Sequence, residues 1–289
     1  MEHRGLGMGW LPDYPDFRDY TDKNEKISTA LEPTNVLKAG RTTELPVDLR
    51  EWCSPVEDQG PIGSCTAHAG IGIVEYYEKR AFGKYLDASR LFLYKATRNL
   101  LHWTGDTGAF LRSAMGALVL FGVPPEEYWP YDIRNFDEEP TAFCYAFAQN
   151  YQAIKYFRHD PPGTPGNLAL DRVRQYISAG HPSMFGFTVY TSIDQADKTG
   201  KVPYPHSKER MLGGHAIVAV GFDDGIRIRN SGSGGAETTG ALLIRNSWGT
   251  GWGESGYGWL PYEYVLKGIA TDFWSLLKKE WVNTGEFRA

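Results

Sequence analysis

Three residues that are far apart in the chain have the types needed for a nucleophilic catalytic site. Cys65 follows a glycine-containing turn, His215 lies in an apolar run, and Asn246 stands directly before Ser-Trp-Gly. A cysteine becomes a strong nucleophile when a helix N-terminus and a basic partner favour its thiolate. An imidazole can be that partner when an amide oxygen fixes its tautomer. The set therefore predicts acyl transfer through a cysteine.

The elements that must position these residues change in type along the chain. From apolar residues at helical spacing, helices are predicted over 67–82, 88–98, 108–120 and 171–179. From short β-like runs separated by glycine-rich loops, strands are predicted over 183–190, 215–222, 241–245 and 256–260. We therefore expect an α+β protein in which helices precede strands, with Cys65 in the helical part and His215 in the β-rich part.

The blocks that carry these residues resemble the papain family of cysteine peptidases. Gln-Gly-Pro-Ile-Gly-Ser-Cys at 59–65, Gly-Gly-His-Ala at 213–216 and Asn-Ser-Trp-Gly at 246–249 follow the family's order. The cysteine and histidine are about 150 residues apart, and the asparagine lies about 31 residues further on. The similarity covers roughly residues 45–265.

The resemblance implies a papain-like fold of two lobes with the active-site cleft between them. One lobe would be helical and the other an antiparallel, β-barrel-like sheet. The chain would then divide into an N-terminal pro-region or inhibitory segment at 1–45, a helical lobe at 46–150 and a β-rich lobe at 151–289.

The resemblance also implies roles for individual residues. Cys65 would be the nucleophile, His215 its base, and Asn246 the acceptor of the ring proton that faces away from the sulfur. Gln59 would donate, together with the Cys65 backbone N–H, to the developing oxyanion. Trp248 would shield the histidine–asparagine hydrogen bond from water.

Some positions near the site depart from the family pattern or offer an alternative. Ile62 and Thr66 replace a cysteine and an aromatic residue that are common there, and Gly214 replaces the Asp or Asn that often precedes the histidine. These changes are expected to alter cleft shape and pH optimum, not reaction type. His68 is a nearby rival for the base, but it would lie on the same helix as Cys65, whereas the family takes its base from the opposite lobe.

A short segment in the helical lobe resembles the part of the family fold that binds substrate. Gly108 would let an extended peptide approach the backbone of Ala109 closely, a form of strand addition. Phe110 and Leu111 would form the wall of the pocket for the second residue before the scissile bond and favour apolar side chains. The alternative is that both are ordinary core residues. Gly214 and Trp248 are also expected to face substrate.

The N-terminal segment is too short and too rich in proline for the helical pro-regions of larger family members. Its run Trp-Leu-Pro-Asp-Tyr-Pro-Asp-Phe at 10–17 favours extended structure. We hypothesise that it lies along the cleft and inhibits the enzyme until it is displaced or removed near Lys38–Arg41. An ordinary surface-packed arm is the alternative.

Composition limits partners and compartment. An apolar content of 42%, a charged content of 22% and a net charge of −5 are ordinary for a soluble globular protein and show no basic stripe for nucleic acid. No apolar run is long enough to span a membrane, and no secretory signal is evident, so we expect a protein that is cytoplasmic or exported by another route, and the sequence leaves its compartment open. We expect a monomer without cofactor.

The cysteine count is low for the secreted members of the family and favours a disulfide-poor, bacterial branch. Besides Cys65 there are only Cys53 and Cys144, which could pair or remain free thiols. No Cys-x-x-Cys motif supports a zinc site, so no metal is predicted.

Three functions are compatible with these residues. A cysteine endopeptidase that acts on peptides or proteins is favoured. A transpeptidase or ligase would use the same thioester, and a non-catalytic binding protein could keep the fold. The last is disfavoured because Gln59, Cys65, His215 and Asn246 are all present. An exopeptidase would need a loop that closes one end of the cleft, and none is evident.

Overall fold

The computed structural model describes residues 7–37, 45–151 and 155–287. The α-helices are α1 (Glu25–Leu31), α2 (Cys65–Phe82), α3 (Arg90–Leu100), α4 (Leu111–Leu120), α5 (Ala142–Ala148), α6 (Gly166–Ser178), α7 (Tyr262–Leu266) and α8 (Lys279–Val282). The strands are β1 (Trp10–Leu11), β2 (Val47–Asp48), β3 (Ala109–Phe110), β4 (Lys155–Arg158), β5 (Ser183–Tyr190), β6 (Met211–Arg229), β7 (Glu237–Arg245), β8 (Tyr257–Pro261) and β9 (Ala270–Leu277). Short 3-10 turns occur at Glu32–Thr34, Arg50–Trp52, Glu126–Tyr128, Ile133–Asn135, Gln149–Tyr151 and Thr191–Ala196.

Helix α2 is the centre of the helical lobe and begins at Cys65. It is buried continuously from Cys65 to Tyr77, and it packs against α3, α4 and the long strand β6. It ends at Gly83, whose φ of 71° lets its N–H bond the carbonyl of Lys79. Because the first N–H groups of a helix have no intrahelical partner, Cys65 lies at the positive end of α2.

The second lobe is an antiparallel sheet in the order β4-β9-β5-β6-β7-β8, with β2 added on β6. Strand β6 has 19 residues, and its register against β7 shifts twice, so the strand bends over the helical lobe. His215 pairs with Phe187 of β5, which fixes the ring on the inner face of the sheet. In the described residues the strand order leaves the sheet open between β4 and β8, so it is barrel-like without closing.

The N-terminal segment lies between the two lobes as an extended chain. Strand β1 pairs in parallel with β3 of the helical lobe, and the Trp10 ring packs on Gly186 of the sheet. Further along, α1 joins a small separate core in which Ile27 and Leu31 contact Phe157 and neighbouring residues. The predicted removal site at Lys38–Arg41 lies outside the described residues.

Several element boundaries differ from the sequence prediction for identifiable reasons. The helix predicted from residue 88 begins at Arg90, because the Ser89 side chain accepts the Phe92 N–H and caps it. The prediction of helix at 109–110 was wrong, since this backbone pairs with the N-terminal segment. None of the described helices is long and apolar enough to cross a membrane.

Candidate active site

The structure brings Cys65, His215 and Asn246 together at the junction of the lobes. Cys65 is the first residue of α2, His215 lies in β6, and Asn246 directly follows β7. The Nε2 atom of His215 is 2.8 Å from the Asn246 side-chain oxygen. The other ring nitrogen, Nδ1, is buried without a hydrogen-bond partner among the described residues. The backbone N–H of the next residue, Ala216, points at the Cys65 sulfur, so this part of β6 flanks the thiol.

Two neighbours hold the histidine and asparagine in place. The Trp248 ring stacks on the imidazole with centroids 4.3 Å apart and an angle of 21° between the planes. The Ser247 N–H donates to the Asn246 oxygen at 2.8 Å, so that oxygen must accept from His215 and cannot be exchanged with the amide nitrogen. The imidazole ring is therefore fixed in both direction and tautomer.

Gln59 lies beside the nucleophile with its amide direction fixed in the same way. The Ser247 hydroxyl donates to Oε1 at 2.6 Å, so Nε2 must point the other way. Nε2 donates to the carbonyl oxygens of Ile62 at 2.8 Å and of Gly7 at 3.0 Å. The sequence analysis did not single out Ser247. Its position between Asn246 and Trp248 was the available signal.

The N-terminal segment, defined here as the tail (residues 7–20), covers this site completely. The Gly9 N–H points at the Cys65 sulfur, and the Gly9 carbonyl accepts the Ala109 N–H at 2.8 Å. A Cβ atom added at Gly7 would lie 2.0 Å from the Ile62 carbonyl oxygen, and one added at Gly9 would lie 1.9 Å from that of Gly63. Only glycine allows the tail to lie this close to the loop before the nucleophile.

Exclusion of water from the site favours the neutral forms of both Cys65 and His215. The side chains of Cys65 and His215 are 0% exposed. Burial raises the pKa of the Cys65 thiol to about 11, although backbone N–H groups of Ala216 and Gly9 oppose the rise. Burial lowers the pKa of His215 to about 4, and the hydrogen bond with Asn246 offsets only part of this. The closed site therefore favours a thiol beside a neutral imidazole.

The predicted substrate-binding residues line the part of the cleft that the tail occupies. Gly108 has a φ of 69°, and a Cβ there would lie 2.1 Å from the Gly9 carbonyl oxygen. Ala109 pairs with the tail through its backbone. The Phe110 ring contacts Tyr14 of the tail at a centroid distance of 5.7 Å.

The other predicted substrate-binding residues, Leu111 and Gly214, differ in how accessible they are. Leu111 is fully buried as the first residue of α4. Gly214 faces the Trp10 carbonyl oxygen, which a Cβ would approach to 2.3 Å. The Trp10 indole also lies on Gly186, and its N–H donates to Asp272 at 3.2 Å. The sequence analysis missed Gly186 and Asp272. The signal for Asp272 was a lone acidic residue within an otherwise uncharged strand.

The sequence analysis also considered His68 as a base and Cys53 and Cys144 as a possible disulfide. These residues lie away from the reacting groups. His68 is on α2 with Cys65, where its Nδ1 bonds the Ser64 carbonyl at 3.1 Å, and burial lowers its pKa to about 3. Cys53 and Cys144 are buried free thiols that do not pair with each other. No cluster of three or more potential metal ligands occurs among the residues that the structure describes.

Comparison with known proteins identifies the family. The family described as papain family cysteine protease matches residues 45–274. An uncharacterised peptidase C1-like protein of Acanthamoeba polyphaga mimivirus is 32% identical over 283 residues, which cover 92% of this chain and 85% of the relative. A cathepsin B-like protein of Giardia intestinalis is 26% identical over 279 residues, covering 88% of this chain and 84% of the relative.

The solved structures support the same assignment. The crystal structure of xylellain, a cysteine protease from Xylella fastidiosa, is similar with a TM-score of 0.74 and 32% identity. The match covers 96% of this chain and 98% of xylellain. The two-lobe, papain-like α+β fold expected from the sequence is thereby confirmed. The chain belongs to the papain family and is a cysteine peptidase, an enzyme that acts on peptides or proteins.

Proposed function

We propose that the protein is a monomeric endopeptidase that cleaves peptide bonds through a thioester acyl-enzyme and is held inactive by its own tail. The observation that carries the proposal is that the tail occupies the groups the reaction needs. Gly7 takes the amide N–H of Gln59, Gly9 lies against the Cys65 sulfur, and the nucleophile has no exposed surface.

In the acylation step, the thiolate of Cys65 attacks the substrate carbonyl carbon, and a C–S bond forms. The carbonyl π electrons move to oxygen, which Gln59 Nε2 and the Cys65 backbone N–H stabilise. The oxyanion then collapses, the C–N bond breaks, and the protonated His215 gives its Nδ1 proton to the leaving amine. Asn246 holds Nε2 throughout, so Nδ1 stays directed at the sulfur.

In the deacylation step, His215 takes a proton from water, and the resulting hydroxide attacks the thioester carbonyl. The same donors stabilise the second oxyanion. Its collapse breaks the C–S bond and returns the thiolate beside a protonated imidazole. The stacked Trp248 ring keeps water from competing for the bond between His215 and Asn246.

Inhibition by the tail acts through both access and protonation. Backbone pairing with Ala109 places the tail where a substrate strand would add. Because burial favours the neutral thiol and imidazole, the docked tail also removes the thiolate on which attack depends. Departure of the tail would readmit water and restore the charged pair.

A full-length Gly9→Val variant tests the proposal, because the added side chain cannot pass the Gly63 carbonyl. The assay is hydrolysis, under reducing conditions, of an internally quenched peptide blocked at both ends. We expect Gly9→Val to raise the rate at least tenfold over the wild type. Phe17→Ala changes an exposed tail residue and should leave the rate unchanged. Cys65→Ala should abolish it.

Four results would contradict parts of the proposal. Equal rates for the wild type and Gly9→Val would reject inhibition by the tail. No cleavage of the end-blocked peptide, together with removal of terminal residues from its unblocked counterpart, would reject the endopeptidase. Ligated products in the presence of an added amine, in excess over hydrolysis, would favour the transpeptidase. A dead Gly9→Val variant whose Cys65 resists alkylation would favour a binding protein.

A further inference from the structure

One pocket in the cleft is shaped around an indole. The Trp10 side chain is 6% exposed and lies on two glycines of the sheet, Gly186 in β5 and Gly214 in β6. A Cβ at Gly186 would lie 1.9 Å from the indole ring, and one at Gly214 would lie 2.8 Å from it. Any larger residue at either position would therefore fill part of the volume that the indole uses. The two glycines make the pocket deep enough for the largest natural side chain.

The floor of this pocket is polar and already paired with a cation. Asp272 is 2% exposed, and its Oδ2 accepts the Trp10 indole N–H at 3.2 Å. Its Oδ1 accepts from Arg158, which is itself buried. Arg158 also donates from Nε to Asp160 at 3.1 Å, so one guanidinium is shared by two carboxylates, and Asp272 is a strong, charged acceptor on the floor.

The departure of the tail would leave that acceptor unsatisfied. Oδ2 of Asp272 also accepts the Asp13 backbone N–H at 2.8 Å, and this donor belongs to the tail as well. Displacement of the tail thus removes both donors to Oδ2 at once. A buried acceptor without a partner favours a ligand that returns a donor. Among apolar side chains of sufficient size, only tryptophan carries an N–H at the end of its ring system.

We propose that the pocket formed by Gly186, Gly214 and Asp272 selects tryptophan in peptide substrates, through its depth and through the acceptor on its floor. This inference rests on the proposed peptidase function and names its substrate class: peptides with a tryptophan next to the backbone that pairs with Ala109. Leucine and phenylalanine would fill less of the volume and leave Oδ2 of Asp272 without a donor. Arginine has no ring to lie on the two glycines.

The test uses the full chain with Gly9→Val/Trp10→Ala, in which the first substitution releases the tail from the loop before Cys65 and the second removes the indole from the pocket. End-blocked, internally quenched peptides of Gly, Ala and Ser would contain one variable residue: Trp, 3-benzothienylalanine, Phe, Leu or Arg. Benzothienylalanine has almost the shape of tryptophan without the N–H. We expect kcat/KM for Trp to exceed that for benzothienylalanine about tenfold, a difference typical of a hydrogen bond to a charged group.

Two substitutions separate the depth of the pocket from its floor. Gly186→Ala should lower kcat/KM for the Trp peptide at least tenfold and leave the Leu peptide nearly unchanged. The matched control is Gly116→Ala in α4, where the nearest atom to a new Cβ is 4.0 Å away. Asp272→Asn should bring the ratio of Trp to benzothienylalanine close to one. If that variant does not fold, the analogue peptide still tests the floor.

Binding of the same peptides, labelled with fluorescein, to the Gly9→Val/Trp10→Ala/Cys65→Ala chain keeps this inference separate from the peptidase proposal. A Trp preference in both binding and hydrolysis supports both. Hydrolysis with equal rates for Trp, Phe and Leu overturns the pocket assignment and leaves the peptidase in place. Trp-selective binding without hydrolysis by Gly9→Val/Trp10→Ala retains the pocket and rejects the peptidase. Binding that ignores the variable residue, without hydrolysis, rejects both.

Discussion

The two ends of the tail are held in the cleft by different interactions. At the near end, Gly7 and Gly9 are held by uncharged hydrogen bonds and by the fit of a bare backbone against the loop before Cys65. At the far end, residues 13–20 are held mainly by charge. Arg112 donates to Asp19 at 2.6 and 2.7 Å and to the Tyr14 carbonyl at 2.8 Å.

The far end is also the more titratable of the two. The Asp13 carboxylate accepts from the Trp274 indole at 2.9 Å and faces Arg112, Arg158 and the carboxylate of Asp272. The near end contains no charged side chain between Gly7 and Leu11. The two ends therefore have different roles. The near end blocks Cys65 at any pH, whereas the charged contacts of the far end determine how firmly the tail is attached.

The largest effect is expected from a change at the near end. In Gly7→Val, the side chain would overlap the Ile62 carbonyl, and relief of that overlap requires this part of the tail to leave. We expect peptide hydrolysis to rise at least tenfold, in line with the cost of overpacking a rigid site. Hydrogen exchange should show loss of protection at the Ala109 N–H, which bonds Gly9, while the Arg158 N–H, which bonds the Tyr20 carbonyl, stays protected.

Protection lost equally at both amides in Gly7→Val would contradict the comparison, because it would mean that the tail leaves as one unit. Unchanged hydrolysis together with intact protection at Ala109 would mean that the loop before Cys65 yields to the new side chain.

A smaller effect is expected when the far end loses its central cation. Arg112→Gln removes the charge that pairs with Asp19 and faces Asp13. Because Arg112 is partly exposed, solvent screens part of the interaction, and we expect hydrolysis to rise several-fold and not more than about tenfold. The Arg158 N–H should lose its protection before that of Ala109. The matched control is Arg134→Gln, which removes an exposed arginine that pairs with Asp132. If the hydrolysis rate rises as much in Arg134→Gln, the effect of Arg112→Gln comes from the change in net charge alone.

The difference between the ends also explains what the sequence could predict. Cys65, His215 and Asn246 each belong to a short motif, and the turn before Cys65 is local, so the sequence indicated where they would meet. The contact between Asp13 and Asp272 joins residues 259 positions apart, and no local pattern links them. The acidic residues of the tail resemble a solvated turn until their partners on the lobes are known.

Tertiary pairing also overrode local preference where the two regions meet. Residues 109–110 continue the apolar pattern of α4 and were predicted as helix, but pairing with the tail draws them into a strand. The sequence analysis gave no role to the glycines at 7 and 9. Their spacing suits a backbone that must pass close to another backbone at every second residue, and this role becomes visible only in the assembled cleft.

The smallest expected effect is a pH dependence that arises at the far end alone. Burial and the neighbouring Asp272 carboxylate raise the pKa of Asp13 from 3.8 to about 7 in the docked tail, although Arg112 and Arg158 oppose the rise. A group whose pKa is raised on docking stabilises the docked state below its free pKa and loses that contribution as the pH rises through the docked pKa. Attachment should therefore be firmest in acid and weaken between about pH 4 and 7.

The measurement is the ratio of wild-type to Gly9→Val hydrolysis at each pH, since the released variant cancels the titration of Cys65 and His215. We expect the ratio to rise a few-fold from pH 4 to pH 8. In Asp13→Asn, which resembles the protonated form, it should stay lower and rise less, because only Asp272 and Asp160 on the lobe still titrate with raised pKa values. A wild-type ratio that falls as the pH rises would mean that the ionised Asp13 attaches the tail through Arg112. The far end would then be a permanent ion pair, and the acid-favoured attachment inferred from its burial would be wrong.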